Sequence, residues 1–133
     1  MTKNNWPTFF IVGAPRSGTT SLYNYLKTIP EIFMSPVKEP GYFIPNDFRG
    51  FTKKKYLELF KNVKDEIMIG EASAGYLASR EASLKIKKEI PHAKIIITLR
   101  DPVERTFSDY LNNLRTGNVK RTFEQDFHNF LSN

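Results

Sequence analysis

A short apolar run leads directly into a glycine-bounded loop and then into a helical pattern, and this order limits the folds open to the chain. Residues 9–12 predict a buried strand that ends at Gly13. The loop of residues 13–20 follows, and residues 19–28 carry the apolar spacing of a helix that ends at Pro30. A strand, a loop and a helix in this order are typical of a phosphate cradle at a helix N-terminus.

The rest of the chain continues the alternation of strands and helices. Residues 67–70 and 94–99 predict two more strands, and residues 52–62, 79–90 and 103–115 predict helices, with a final helix opened by Thr122 and Gln125. The sequence therefore predicts an α/β fold, a three-layer sandwich in which helices cover both faces of a parallel sheet. Because the 94–99 run is apolar and β-branched, we expect it to be a central strand.

Composition restricts the function classes without choosing one. The chain has 133 residues, a formal charge of +6 and no cysteine, which suits one domain, residues 1–133, and excludes disulfides and thiolate metal sites. The positive charge favours an anionic partner. The basic residues form no aromatic-interleaved stripe, so nucleic acid is not expected as the partner. The early apolar run is too short for a signal peptide or a membrane span, and we expect a cytoplasmic protein.

The loop carries the residues of an anion site. Gly13 and Gly18 permit backbone angles that side chains disfavour, and Arg16 adds a fixed positive charge. The remaining candidates offer hydroxyl or backbone donors: Ser17, Thr19, Thr20 and Ser21. Thr19 stands where loops of nucleotide triphosphatases carry lysine, which argues against ordinary ATP or GTP chemistry. We expect no metal. A glycine-rich turn without a ligand remains the alternative.

A second polar cluster follows the 94–99 run. Arg100 stands at its carboxyl end and Ser108 lies further along the next helix, so a guanidinium and a hydroxyl could meet one phosphate. The alternative is purely structural. In that reading Asp101 caps the helix, and Glu104 pairs with Arg105 on its surface.

Residues 10–22 resemble the 5′-phosphosulfate loop of the sulfotransferase family, and residues 99–110 resemble its 3′-phosphate motif. The closest likeness is to the heparan sulfate and bacterial carbohydrate branch. The resemblance implies 3′-phosphoadenosine 5′-phosphosulfate as the donor and assigns its 3′-phosphate to Arg100 and Ser108. The family usually has lysine at the place of Arg16, where it contacts the phosphosulfate and its bridging oxygen, so Arg16 inherits a binding and a catalytic role.

The resemblance also supplies a general base. Glu39, in the irregular segment after the first helix, matches the glutamate of the heparan sulfate branch, and the histidine often found two places later is Gly41 here. Other branches use histidine, and this chain has only His92 and His128, neither at a suitable place. A loop carboxylate paired with Lys38 is the alternative. Residues 70–77 resemble a segment that shapes the acceptor site, in which Glu71 and Ser73 either reach substrate or form a strand-end turn.

The resemblance covers almost the whole chain, yet family members are usually about twice this length. We therefore expect the N-terminal part of a longer family fold. The predicted function is transfer of a sulfuryl group to a hydroxyl or amine acceptor such as a carbohydrate. The alternative is a nucleotide-binding module without catalysis, and a P-loop kinase is a third hypothesis that Thr19 opposes. Exposed sheet edges would favour self-association.

Overall fold

The computed structural model describes residues 5–46 and 49–132. These described residues fall into two compact units, one up to Leu99 and one from Arg100 onward. The prediction that residues 1–133 make one domain stays a prediction. Within the described ranges, no helix is both long and apolar enough to cross a membrane.

The first unit is built on a sheet of four parallel strands. The strands are β1 (Phe9–Gly13), β2 (Ile32–Met34), β3 (Met68–Ala72) and β4 (Lys94–Ile97), in the order β2-β3-β1-β4. Strand β1 is therefore interior, with Phe10 opposite Glu71 on β3 and Ile95 on β4. This register brings the carboxyl ends of β1, β3 and β4 to the same edge of the sheet.

Helices cover both faces of this sheet, as the sequence predicts. They are α1 (Thr19–Leu26), α2 (Lys53–Glu58), a 3₁₀ turn (Ala74–Ala78) and α3 (Arg80–Glu89). Because side chains alternate along a strand, Phe9 and Ile11 pack with Tyr23 of α1, whereas Phe10 and Val12 face the core of α2, α3 and the 3₁₀ turn. The α/β three-layer prediction is confirmed.

One strand is additional to the prediction and one helix is much shorter than predicted. Strand β2 was not expected, because three residues between Pro30 and Pro36 give too short a pattern to recognise. Helix α2 ends at Glu58 and not at residue 62. Beyond it, backbone bonds join residues three apart, including Lys61 N–H to the carbonyl of Glu58, so the segment closes in tighter turns.

Strand β4 is not the central strand that its composition predicts. It lies at the edge of the four-stranded sheet, and Ile95 and Ile97 are 49% and 48% exposed. Only Ile96 packs against the α1-side core. A β-branched run indicates a strand, but it does not indicate which neighbours the strand has. Self-association through such an edge stays a prediction.

The second unit contains α4 (Pro102–Arg115) and α5 (Phe123–Leu131). The capping box of Thr122 and Gln125 forms as predicted. Phe123 packs against Phe107 and Tyr110, each with ring centroids 5.3 Å apart. The sequence places Val103, Phe107, Leu111 and Leu114 of α4 at the spacing of a core face, yet no residue of this helix is buried. Its spacing marks an amphipathic helix, and spacing alone does not supply a covering element.

Candidate functional site

The loop of residues 13–20 connects the interior strand β1 to α1 and is held from the β4 side. Ala14 N–H donates to the carbonyl of Thr98 and Thr98 N–H donates to the carbonyl of Gly13, both at 2.8 Å. Ser17 N–H donates to the carbonyl of Ala14 at 3.2 Å, which closes a turn inside the loop. These bonds fix the loop at the carboxyl edge of the sheet, where parallel α/β sheets bind their ligands.

Helix α1 starts without a side-chain cap. Gly18 occupies the N-cap position with φ of 83°, a left-handed conformation that favours glycine, and the first turn contains no acidic residue. Each of the other four α-helices has an N-cap side chain that accepts a backbone N–H: Thr52, Ser79, Asp101 and Thr122. The orphan N–H groups and positive dipole end of α1 therefore suit an anion.

The side chains of the loop divide into buried and exposed groups. Ser17 and Thr19 are buried, and Ser17 Oγ has no hydrogen-bond partner among the described residues. Arg16, with φ of 64°, is exposed, as are Thr20 and Ser21. A buried hydroxyl without a partner is uncommon in proteins. The uncapped helix start and the unpartnered Ser17 Oγ are both features that a phosphate or sulfate group could satisfy.

Gly13 is required by close packing at the base of the loop. A Cβ atom at this position would lie 2.8 Å from Leu77 Cβ and 3.1 Å from the carbonyl oxygen of Ala74. Ser73 N–H also donates to the carbonyl of Ile11 at 3.1 Å. The 3₁₀ turn therefore lies directly against the loop, which the sequence alone did not indicate.

Glu39 lies at the carboxyl edge of the sheet beside β3. Its N–H donates to the carbonyl of Ala72 at 2.7 Å, and its Oε1 pairs with Lys38 Nζ at 2.6 Å. The carboxylate is 42% exposed, so a substrate hydroxyl could reach it. The pairing with Lys38 that the sequence offered as an alternative is present.

The sequence indicated little about the surroundings of Glu71. It is fully buried, and its Oε2 accepts hydrogen bonds from Tyr56 Oη at 3.0 Å and Tyr76 Oη at 2.7 Å. Burial raises the pKa of Glu71 to about 7, while the bonds from Ser73 and the two tyrosines oppose the rise and the charge of Glu39 adds to it. Neither Glu71 nor Ser73, which is 1% exposed, can reach a substrate directly.

The second polar cluster belongs to the unit of residues 100–133. Asp101 Oδ1 accepts the N–H groups of Val103 and Glu104, each at 3.0 Å, so it caps α4. Arg100 Nε pairs with Glu104 Oε2 at 3.2 Å, and both side chains are exposed. Ser108 is half-buried in α4. The capping in the structural alternative is thus observed, but the partner of Glu104 is Arg100, a candidate phosphate ligand.

The predicted site residues thus lie in both units. The first unit holds the loop residues and Glu39 at one edge of the sheet, and the second holds Arg100 and Ser108. Among residues 5–46 and 49–132, no group of three or more His, Cys, Asp or Glu is arranged to hold a metal ion. The expectation that no metal takes part stays a prediction. Sequence reasoning missed the phenols of Tyr56 and Tyr76, since an apolar helix face gives no sign of a buried carboxylate.

Comparison with known proteins identifies the family. A model of the sulfotransferase domain matches residues 7–133. The membrane-associated sulfotransferase kil1 of Dictyostelium discoideum is 34% identical over 78% of this chain and 22% of its own length. Human heparan sulfate glucosamine 3-O-sulfotransferase 3B1 is 30% identical over 89% of this chain and 30% of its own. The crystal structure of a sulfotransferase from Alicyclobacillus acidocaldarius matches with a TM-score of 0.83 and 36% identity, over 91% of this chain and 55% of that one.

Proposed function

This chain belongs to the sulfotransferase family, and from that premise we propose that it binds 3′-phosphoadenosine 5′-phosphosulfate and transfers the sulfuryl group to a carbohydrate hydroxyl or amine. The observation that carries the proposal is the uncapped start of α1, with the buried Ser17 Oγ in the loop before it. The chain spans less than a third of the two named relatives' lengths. The activity, the acceptor and the partners of a whole protein are therefore part of this proposal.

Each part of the donor has its own binding residues in this proposal. The N–H groups at the start of α1, Ser17, Thr19, Thr20 and Ser21 would hold the phosphosulfate, and Arg16 would place a positive charge beside it. Arg100 and Ser108 would bind the 3′-phosphate and so distinguish the donor from ATP. Gly13 and Gly18 would let the backbone approach the anion.

In the proposed reaction the protein positions the two substrates, accepts one proton and stabilises negative charge. Glu39 would accept the proton of the attacking hydroxyl or amine while the acceptor atom forms its bond to sulfur. The bond from sulfur to the bridging oxygen breaks, and 3′-phosphoadenosine 5′-phosphate leaves. Arg16 and the start of α1 would stabilise the negative charge that grows on that oxygen.

Donor binding is tested by Arg100→Ala with titration calorimetry. We expect affinity for 3′-phosphoadenosine 5′-phosphate to fall roughly 10- to 100-fold, because a charge-assisted bond is lost. Affinity for adenosine 5′-phosphate, which lacks the 3′-phosphate, should stay the same. Arg121→Ala is the matched control, since Arg121 is also half-exposed and paired through Nε, to Asp126. An unchanged affinity in the Arg100 variant would remove the central claim.

Catalysis is tested separately by sulfate transfer from labelled donor to a panel of sugars and phenols. Transfer to a sugar supports the enzyme, whereas binding without any transfer supports a module that retains only the donor site. Magnesium-dependent ATP turnover would favour the kinase alternative. Cytoplasmic location also stays a proposal, since one of the relatives is named as membrane-associated.

A further inference from the structure

The segment that carries Glu39 is held through the backbone N–H group of every second residue. We call residues 39–43 the base segment. The N–H of Glu39 donates to the carbonyl of Ala72 at 2.7 Å, that of Gly41 to Ser73 Oγ at 3.1 Å, and that of Phe43 to Tyr76 Oη at 3.5 Å. The segment is otherwise irregular, with positive φ at Glu39 and Gly41. Its position therefore depends on these three acceptors.

Two of the three acceptors are side chains, and both of these side chains also bond to the buried carboxyl of Glu71. Ser73 and Tyr76 are 1% and 2% exposed, so neither can serve as a surface ligand. The hydroxyl proton of Tyr76 goes to Glu71 Oε2 at 2.7 Å, which turns the oxygen lone pairs toward other donors such as Phe43 N–H. Glu71 thus sets the direction of the Tyr76 hydroxyl, and Tyr56 donates to the same carboxylate oxygen.

The 3₁₀ turn that contains Tyr76 and follows Ser73 also lies against the base of the loop of residues 13–20, which we call the phosphate loop. Ser73 N–H donates to the carbonyl of Ile11 on β1, and Leu77 and Ala74 pack against Gly13 at the base of the loop. Phe43 is 1% exposed, and its ring lies 5.7 Å from Phe10 on β1 and 5.8 Å from Tyr76. Ser73 and the 3₁₀ turn after it therefore contact the base segment, and the same turn lies against the base of the phosphate loop.

We propose that Ser73 and Tyr76, oriented by Glu71, are positioning residues that fix Glu39 relative to the phosphate loop. This inference rests on the proposed function, because it assigns these residues a task in that reaction. In-line transfer needs the base, the acceptor atom and the sulfur to be held in one arrangement. A displacement of about 1 Å by a distant change can lower a rate roughly 100-fold.

The test uses Ser73→Ala, which removes the acceptor of the Gly41 N–H with little change in volume. Thr8→Val is the matched control, since Thr8 Oγ1 also accepts a backbone N–H, that of Ile69 at 2.9 Å, at the opposite end of the sheet. Amide hydrogen exchange measured by NMR should be roughly tenfold faster at Gly41 in the Ser73 variant. The control should leave exchange at residues 39–43 unchanged.

Kinetics separate positioning from a general loss of structure. In Ser73→Ala we expect kcat to fall about tenfold while KM for the donor and calorimetric affinity for 3′-phosphoadenosine 5′-phosphate stay the same. Tyr76→Phe should act in the same direction. Glu71→Gln should retain kcat within about threefold, because the amide oxygen can accept from both tyrosines.

Several outcomes would overturn the inference. Unchanged exchange at Gly41 in Ser73→Ala would show that the hydroxyl does not hold the segment. An equal fall of kcat in Thr8→Val would reduce the effect to general stability, and so would equal losses in kcat and in donor affinity. If the unsubstituted chain binds the nucleotide but transfers no sulfate, the catalytic proposal fails, and the exchange pattern still decides whether Ser73 and Tyr76 hold the segment.

Discussion

Two buried polar atoms at the same edge of the sheet have no hydrogen-bond partner in the described part of the chain: Ser17 Oγ and Glu71 Oε1. They belong to neighbouring strands, since Ser17 lies in the loop after β1 and Glu71 is the fourth residue of β3. Leaving such a group without a partner costs about 1–3 kcal/mol, and more when the group is charged. Both groups are therefore candidates for a role other than stability.

The two atoms differ in which partner can reach them. Ser17 lies in the loop that leads to the uncapped start of α1, beside the exposed Arg16, where a ligand anion can arrive. Glu71 is fully buried beside the phenols of Tyr56 and Tyr76, where a proton can arrive but a ligand cannot. The first group therefore suits the donor and the second suits a change of protonation. In our proposal Ser17 binds the ligand, whereas Glu71 helps to hold the segment that carries Glu39 in place.

The largest expected effect comes from the pH dependence of stability in Glu71→Gln. The ordinary pKa of this carboxyl is 4.5, and burial raises the pKa of Glu71 to about 7 in the folded chain. Between these values the folded state retains a proton that the unfolded state releases, so stability falls as pH rises and the loss is complete above the folded pKa. Urea unfolding at pH 5 and pH 8 should show an extra decrease of about 3 kcal/mol in the unsubstituted chain, which the variant lacks.

The control for this experiment is Glu104→Gln, which changes an exposed carboxylate paired with Arg100. It should retain the pH dependence of the unsubstituted chain, because solvent screens exposed pairs. If Glu71→Gln and the unsubstituted chain lose the same free energy of unfolding between the two pH values, Glu71 is not a protonated buried group. The contrast with Ser17 would then disappear.

A smaller effect is expected for Ser17→Ala, which should weaken nucleotide binding without lowering stability. Affinity for 3′-phosphoadenosine 5′-phosphate should fall about tenfold, since one hydrogen bond to a charged group is lost. The free energy of unfolding should stay the same or rise, because the buried hydroxyl has no partner to lose. Calorimetry and urea unfolding measure the two quantities.

Ser35→Ala is the matched control for Ser17→Ala, because Ser35 is also buried but its Oγ donates to the carbonyl of Val37 at 2.8 Å. We expect it to lower stability by about 1 kcal/mol and to leave nucleotide affinity unchanged. A Ser17 variant that loses stability and retains its affinity would instead make Ser17 an ordinary core residue.

The sequence predicted the loop that contains Ser17 better than it predicted the surroundings of Glu71. The loop follows from local rules: a strand, glycine positions and a helix start that need no distant partner to be recognised. Glu71 cannot be interpreted in this way. Its environment depends on Tyr56 and Tyr76, which reach it from α2 and the 3₁₀ turn, and the first of these is fifteen residues away in the chain.

The sequence also did not predict where β4 and α4 lie within the fold. The composition of β4 correctly predicts a strand but wrongly places it at the centre of the sheet, because pairing is a property of the whole sheet. The spacing of α4 predicts an amphipathic helix, yet no residue of that helix is buried. Local patterns therefore predicted the elements and the anion loop, while the order of the strands and the support of Glu39 needed the structure.

The smallest effect is expected for Glu104→Gln, which removes the partner of Arg100. Arg100 differs from both buried atoms because it is exposed and already paired. Its Nε contacts Glu104 Oε2 at 3.2 Å, four residues along the chain, and an exposed pair of this kind contributes only about 0.3–0.5 kcal/mol. If a 3′-phosphate must compete with Glu104 for this guanidinium, Glu104→Gln should strengthen binding of 3′-phosphoadenosine 5′-phosphate roughly twofold. Binding of adenosine 5′-phosphate should not change, and raising the salt concentration should reduce the difference. A variant that binds the 3′-phosphorylated nucleotide more weakly would mean that Glu104 orients Arg100 for the phosphate and does not compete with it.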